Sequence, residues 1–395
     1  MAGQLSRKLI TRVRQQKLDT SALVDVSLRG YQDFGARFAL AQKKVIIGDE
    51  MGLGKTIEAL AFLAHLHTTG AMHTVVVCPA SVVSNWAREL STRSTLSVHV
   101  LHGADRTGAI SSWVRRGGVA VTTFETLPSL EEDLELVEEI GAVVIDEAHY
   151  IKNPRARRTQ FSRKLIDSCG HALLLTGTPI ENRLEEFENL ISYLQPGLVS
   201  GLGTYAPMAF PRLVAPAYLR RNQEDVLTEL PERIDVDEIV PMSSEDEKAY
   251  EGAVIDGNFM AMRRAAMVGG RSLKMQRLAE IVSEARANHR KVIVFSFFRD
   301  VLDAVVEHID GVVVGPLNGS VPARERQRMV DALTEAEPGA VLVAQVTAGG
   351  VGLNIQASSV VIICEPQIKP SMEMQAIARA HRMGQTQTVQ VHRLL

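Results

Sequence analysis

Cysteine is scarce in this chain. There are three in 395 residues, Cys78, Cys169 and Cys364, far apart and with no CxxC pair. They supply neither a disulfide framework nor a four-cysteine zinc site. The pattern reads as small buried hydrophobes in a reducing compartment. Aromatic residues make up 5% of the chain, little material for stacking the bases of a single strand. No apolar run approaches the ~18 residues of a membrane-spanning helix. The N-terminus lacks an apolar stretch followed by a cleavage site, so no secretory signal is expected. Charge of either sign is nearly balanced, 43 basic against 46 acidic residues, a net of −3. That balance does not exclude a nucleic-acid partner, because phosphate binding needs only a local basic face.

With 46% apolar and 23% charged residues, the composition is that of an ordinary globular protein and not of a disordered chain. At about 150 residues per domain the length gives roughly 2.6, hence two or three domains. Residues 1–27 are polar and basic, with Arg7, Lys8, Arg12, Arg14 and Lys17 against Asp19 and Asp25. They read as a basic N-terminal arm or as the end of a neighbouring domain. From residue 45 short apolar runs recur at 45–47, 75–78, 119–121, 142–145 and 173–175. Each is continuous and not alternating, as suits parallel strands buried on both faces. Helix-period segments lie between them, the order of an α/β domain. The pattern restarts at 291–295, 312–314, 340–344 and 360–364. Between the two series stand Pro207, Pro211, Pro216, Pro231 and Pro241, which break regular elements. The reading is therefore a first lobe over 28–240 and a second over 241–395.

The residues 48–56, GDEMGLGKT, follow a strand and precede a helical run. A glycine-rich loop feeding a helix N-terminus holds phosphate through converging N–H groups and the helix dipole. Lys55 would reach the β- and γ-phosphates and Thr56 would hold Mg²⁺. The strict pattern asks for glycine six positions before the lysine, and Asp49 stands there instead. Gly52 and Gly54 still supply the flexible points nearest Lys55. The run AVVIDEAH at 142–149 is a buried strand ending in two carboxylates. Asp146 would hold the metal, and Glu147 would orient or deprotonate the attacking water.

Together with LTGTPIEN at 175–182, these motifs resemble the Swi/Snf-type DNA translocase ATPases of helicase superfamily 2, in forms closest to bacterial or phage members. The likeness runs from about residue 28 to 395. It implies an α/β fold of two tandem RecA-like lobes, each a parallel sheet flanked by helices, with a nucleotide cleft between them. LRGYQ at 28–32 resembles the adenine-reading segment, which makes Gln32 a base contact. Asp49, Gly52, Gly54, Lys55 and Thr56 then belong to the cofactor site. So does Gly352, from TAGGVGLN at 347–354, which resembles a segment that senses the nucleotide and contacts DNA. By the same resemblance Pro79, Ser81 and Asn85 (in 78–89), Thr123 (in TTFE at 122–125), Thr347 and Gly349 are DNA contacts. LRRNQEDVLTELPER at 219–233 resembles the connector between lobes. QAIARAHRMGQ at 375–385 resembles the arginine-finger motif. Arg379 and Arg382, spaced i and i+3, would share one helix face and stabilise the phosphoryl-transfer transition state.

Three departures accompany the likeness. The interval 176–220 is short, so the family's helical protrusions look trimmed. CEPQIKP at 364–370 replaces the Asp-Pro-Trp-Asn-Pro run of eukaryotic members. The chain stops at Leu395, where a bracing helix is expected to follow, so the second lobe reads as truncated. Basic runs at 151–165 and 263–291 could each follow a phosphate backbone or be solvated helix faces. The expectation is an ATP- and Mg²⁺-dependent double-stranded DNA translocase that displaces DNA-bound proteins or reshapes junctions, with no membrane association. The alternatives are a strand-separating DNA or RNA helicase and a nucleotide-dependent DNA clamp with little turnover. The expected location is the cytoplasm or nucleoid of a bacterial or phage system, or the nucleus of a eukaryote.

Overall fold

The computed structural model describes residues 5–103, 105–177, 184–199, 213–226, 231–268, 272–347, 355–382 and 385–395. The chain divides into two compact units, Met1–Thr228 and Glu229–Leu395. In the first unit the strands are β1 (Lys44–Ile47), β2 (His73–Cys78), β3 (Val98–Val100), β4 (Gly118–Thr123), β5 (Ala142–Ile145), β6 (His171–Leu175) and β7 (Tyr218–Leu219). They form one parallel sheet in the order β3-β4-β2-β5-β6-β1-β7. In the second unit β8 (Arg233–Glu238), β9 (Val292–Ser296), β10 (Val313–Leu317), β11 (Val341–Gln345), β12 (Val360–Ile363) and β13 (Val389–Leu394) form another. Its order is β10-β11-β9-β12-β13-β8, again all parallel.

The central strands are Val- and Ile-rich because both of their faces are covered. Val76, Val144, Ile293 and Ile362 are fully buried. β-branched side chains suit such pleated, enclosed surfaces, and each fully buried one contributes about 1.5–3 kcal/mol of hydrophobic free energy. Helices flank the sheets. In the first unit they include α1 (Arg7–Gln15), α2 (Gly30–Gln42), α3 (Lys55–Thr68), α4 (Val83–Arg93), α5 (Arg106–Arg116), α6 (Glu131–Glu135) and α7 (Arg157–Ser168).

Two parts of the architecture depart from the sequence reading. The N-terminal segment is no free arm. Ser6 caps α1, Val13 is fully buried, and the Asp19 N–H donates to His65 Nδ1 at 2.9 Å. The basic residues of α1 lie on its exposed side, which is what the composition registered. The division between units also falls before the expected 240. β8 pairs with β13 along its whole length and so belongs to the second sheet. Its sequence, RIDVDE, alternates polar and apolar residues because it is an edge strand, where charges discourage further pairing.

Candidate functional site

β1 ends at Ile47 and the chain turns sharply through 48–54 into α3. A Cβ on Gly48 would sit 2.5 Å from the Tyr218 ring, so β7 and the loop can meet only at a glycine. Gly52 and Gly54 have φ of 87° and 78°, the left-handed region that a side chain resists. Gly54 is the N-cap of α3 and Lys55 its first residue. The Lys55 ammonium folds back over the loop, donating to the carbonyl oxygens of Asp49 at 2.7 Å and Glu50 at 3.3 Å. Burial lowers the Lys55 pKa, while the charges of Asp49, Glu147, Asp146 and Glu58 resist that shift. Thr176, at the end of β6, donates its N–H to Ile47 O at 3.1 Å. The next residue, Gly177, closes over the loop. A Cβ there would lie 2.8 Å from Met51 and 3.3 Å from Lys55 Nζ.

The carboxylate pair leaves β5 beside this loop. Asp146 is held from three directions. Its N–H donates to Val77 O at 2.9 Å, its Oδ1 accepts from the Glu147 N–H at 2.9 Å, and its Oδ2 accepts from Trp86 Nε1 at 2.8 Å. Burial, then the neighbouring Glu147 charge, pushes the Asp146 pKa up to about 6, against the Trp86 bond and the Lys55 charge. Glu147 has φ 53° and ψ 55°, a left-handed conformation that costs a non-glycine residue about 1–3 kcal/mol. Its Oε2 lies 3.2 Å from His149 Nδ1. Strain of this kind at a strand end aims a side chain, and here it sets Glu147 beside Asp146. Tyr150 follows. Its ring stacks on Phe124 at 5.2 Å and 3°, the Arg158 guanidinium lies 5.6 Å from it, and Arg158 Nε donates to Tyr150 O at 2.7 Å. The carboxylate strand is thus packed directly on the loop after β4.

Gln32 and Asp49 both touch this centre, in different ways. Gln32 is buried. Its Nε2 donates to Leu53 O at 3.2 Å, and its Oε1 accepts the Arg29 N–H at 3.1 Å. It braces the glycine-rich loop from α2, as does Tyr31, whose hydroxyl donates to the same carbonyl at 2.9 Å. Asp49 offers only its backbone to Lys55. Its fully buried carboxylate accepts from Arg221 Nε, with Oδ2 at 2.9 Å, and from Arg221 Nη2. Arg221 Nη2 also reaches both oxygens of the fully buried Glu58, at 2.8 and 3.0 Å. Gly35 leaves the room for this triad, since a Cβ there would overlap Glu58. The segment after β7 is then stitched to the loop. The Glu50 N–H donates to Arg221 O at 2.9 Å and the Gln223 N–H to Glu50 Oε2 at 2.7 Å.

Sequence reasoning missed Trp86, Glu58 and Arg221. Trp86 and Arg221 stood inside segments already noted, 78–89 and 219–233. A lone tryptophan on a helix reads as core, and a connector arginine reads as surface. The available signal was an acidic residue three positions after the loop lysine, just before the apolar run 59–64.

In the second unit the two arginines do not share a helix face. The helix Pro370–Ile377 ends before them, and both lie in the turns that follow. In those turns the Arg379 carbonyl accepts the Ile355 N–H at 3.1 Å, and Gln385 Nε2 takes the carbonyls of Ala380 at 3.1 Å and Ser358 at 2.9 Å. Arg379 is 5% exposed with its guanidinium 5.9 Å from the Phe295 ring, whereas Arg382 is half-buried. Gly349 and Gly352 lie outside the described residues, as does Thr178, while Thr347 is exposed just beyond β11. Of the other expected DNA contacts, Pro79 is buried, and Ser81 and Asn85 are half-buried around the start of α4. Thr123 does not present its side chain at all. It is fully buried, and its Oγ1 accepts the Thr126 N–H at 3.0 Å, capping the turn after β4.

The two basic runs separate. In 263–291 most of the described cations are tied down internally: Arg264 to Asp300, Arg277 to Glu238, Glu280 and Glu284, and Arg263, Lys274, Arg286 and Lys291 to backbone carbonyls. In 151–165, Lys152 pairs with Glu186, and Lys164 with Glu131 and Glu135. Among the described residues, Arg155, Arg157 and Arg158 make no ion pair. The last two line a pocket of about 470 Å³ with Phe124, Glu125 and Ser129. No cluster of three or more His, Cys, Asp or Glu suited to a metal occurs among the described residues, and no described helix is long and apolar enough to cross a membrane.

A phosphate-type loop on the first of two RecA-like units, faced by a carboxylate pair, defines a two-lobed ATP hydrolase of the helicase type. The comparisons agree. The SNF2-related domain matches residues 31–292 and the helicase conserved C-terminal domain residues 273–384, and the chain belongs to the SNF2-related family. Among similar proteins is the putative ATP-dependent helicase/translocase YwqA of Bacillus subtilis, 28% identical, with the alignment covering 99% of this chain and 48% of that protein. Another is the DNA excision repair protein CSB of Oryza sativa, 27% identical over 89% of this chain and 37% of that protein. The chain thus spans about half, or less, of the curated relatives it matches. The Sulfolobus solfataricus SWI2/SNF2 ATPase core in complex with dsDNA shares the fold. It has a TM-score of 0.51 and 24% identity over 96% of this chain and 90% of that one.

Proposed function

We propose that this chain couples ATP hydrolysis to translocation along double-stranded DNA, the activity by which a motor displaces bound proteins or reshapes junctions. The observation that carries the reading is the convergence of Lys55, Asp146 and Glu147, with the carboxylate strand packed through Tyr150 onto the loop after β4. Lys55 exchanges its contacts with the loop carbonyls for the β- and γ-phosphates. Glu147, held beside Asp146 by its left-handed backbone, orients the attacking water and accepts its proton. Gln32 reads the adenine edge while bracing the loop. Arg382 is read as the arginine finger on its likeness to the motif at 375–385. Arg379, packed on Phe295, supports it.

The residues fit a magnesium ion. Thr56 and Asp146 are hard oxygen donors of the kind Mg²⁺ takes alongside phosphate, and a cation there would offset the cost that burial and the Glu147 charge place on ionised Asp146. When bound, it would neutralise charge developing on the phosphates. On the DNA side, Arg157 and Arg158 offer guanidinium groups outside any described ion pair beside the loop after β4, suited to backbone phosphates and not to bases. A change at Glu147 is felt at this surface through the Tyr150 ring, which touches Phe124 and Arg158. The relatives' names, which speak of helicase, translocase and excision repair, and the solved core's duplex DNA support the same reading.

Phosphate release without DNA, with single strands and with duplex tests it, with Glu147→Gln as the inactive control. Stimulation by duplex well above that by single strands is expected. Greater stimulation by single strands would mean a strand-separating helicase. Tight ATP-dependent DNA binding with no release above the Glu147→Gln background would mean a clamp.

A further inference from the structure

The chain after the short turn Leu127–Leu130 carries six acidic residues over 131–139 and no basic one. Only Glu131–Glu135 is helical. With the C-terminal half of α7 this segment encloses a groove of about 250 Å³ that the nucleotide site does not use. Its apolar lining combines the buried Leu127, Ile140 and Leu165 with the half-buried Leu134, Val137 and Phe161. Its rim is acidic, with Glu131, Glu135, Glu138 and Glu139 facing one lining cation, Lys164. Lys164 is already shared between Glu131 and Glu135. Glu138 and Glu139 are exposed and make no ion pair among the described residues. Leu136 stands beside them, 70% exposed.

The chemistry selects the occupant. A surplus of carboxylates repels a phosphate backbone, so this face is not a DNA surface. The half-buried Leu134, Val137 and Phe161, with exposed Leu136 beside them, favour aliphatic side chains, and unpaired rim carboxylates favour lysine or arginine next to those. We propose that the groove docks an amphipathic helix of a partner protein, with its aliphatic stripe on the floor and its basic flanks on Glu138 and Glu139. Arg157 and Arg158, which face the loop after β4, lie at the other end of α7 from Lys164 and Leu165. At 1.5 Å per residue the two surfaces are about 10 Å apart along the helix. A partner on the groove is therefore held next to that loop and leaves it open.

The experiment is fluorescence anisotropy on the full chain with a labelled helical peptide of leucine and lysine whose leucines fall on one face. The comparison peptides are one of the same composition scrambled to destroy that face and one with glutamate for lysine. The proposal expects the amphipathic basic peptide to bind at least tenfold tighter than either. Glu138→Lys with Glu139→Lys should weaken it tenfold or more, and Val137→Asn should weaken it without changing ATP turnover. The two glutamates are solvated, so their replacement leaves the fold intact. Equal binding of the scrambled peptide overturns the proposal, because the surface would then be a plain acidic patch. Absence of binding, or binding unmoved by these substitutions, overturns it too. So would a concentration-dependent dimer that the charge reversal dissolves, since the occupant would then be a second copy of the chain.

Discussion

Replacing Arg221 with methionine removes a guanidinium and keeps a stem of similar length. What remains is two carboxylates, Asp49 and Glu58, each fully buried and stripped of its cation. Breaking a buried pair by deleting one partner costs about 3–5 kcal/mol, because the orphaned charge is neither solvated nor compensated. In a domain the size of the first unit, each kcal/mol lowers Tm by about 2–4 °C, so the loss should be about 6–20 °C. The pH dependence is diagnostic. Burial already raises the Glu58 pKa well above its ordinary value, with Arg221 opposing that rise. Without Arg221 the folded pKa rises further. A carboxylate whose pKa is raised on folding binds a proton more tightly in the native state. Its penalty is absent below the unfolded value near 4.3, grows as pH rises, and is complete above the folded pKa. The wild type carries the same penalty up to its own raised Glu58 pKa, so the variant's deficit should be flat at low pH and widen only above that point, toward pH 8, as followed by thermal denaturation from pH 5 to pH 8. Arg221→Met combined with Glu58→Gln should recover part of the loss, since one of the two buried charges is gone. A deficit that is the same at both pH values and is not reduced by Glu58→Gln would refute the reasoning. It would show that Arg221 acts through packing alone.

The sheet strands and the nucleotide loop were legible in the sequence for one shared reason. Strands buried on both faces are continuous apolar runs, and the loop between β1 and α3 needs glycine where the backbone turns left-handed. The same logic hid β8 and β7. β8 is an edge strand with alternating charge, and β7 is two residues long, recognisable only by its register with Ile46 and Ile47. Asp49 was legible as a site position but not in its role, because nothing in GDEMGLGKT shows that an arginine 172 positions later will claim the carboxylate. Thr123 misled in a similar way. The resemblance of TTFE made it a DNA contact, yet it is buried and caps its own turn. The spacing of Arg379 and Arg382 predicts a shared helix face only while the helix continues, and Gln385, a residue of the same motif, takes carbonyls in the turns where it stops.

The three thiols should be inert in the folded chain. Burial pushes Cys169 up to about 12 and the Cys78 and Cys364 thiols well above their ordinary value, so a disulfide reagent at pH 8 should label all three only after unfolding. Arg382→Ala should lower turnover far more than ATP affinity, while Arg379→Ala, which uncovers Phe295, should also lower Tm. Turnover at the wild-type level in Arg382→Ala would remove it as the finger. Trp86→Phe isolates one bond. The ring stays in the core, where Trp86 is 1% exposed, and the substitution deletes the hydrogen bond from Nε1 to Asp146 Oδ2. A hydrogen bond to a charged group contributes about 1.5–3 kcal/mol, but part of that is recovered if Asp146 finds another donor. Each 1.4 kcal/mol is tenfold in rate, so turnover should fall about tenfold while nucleotide affinity, assigned in the proposed function to Lys55 and the loop, should change little. If affinity falls as much as turnover, Trp86 holds the loop and not the carboxylate. If neither moves, the backbone bonds at Val77 and Glu147 alone fix Asp146.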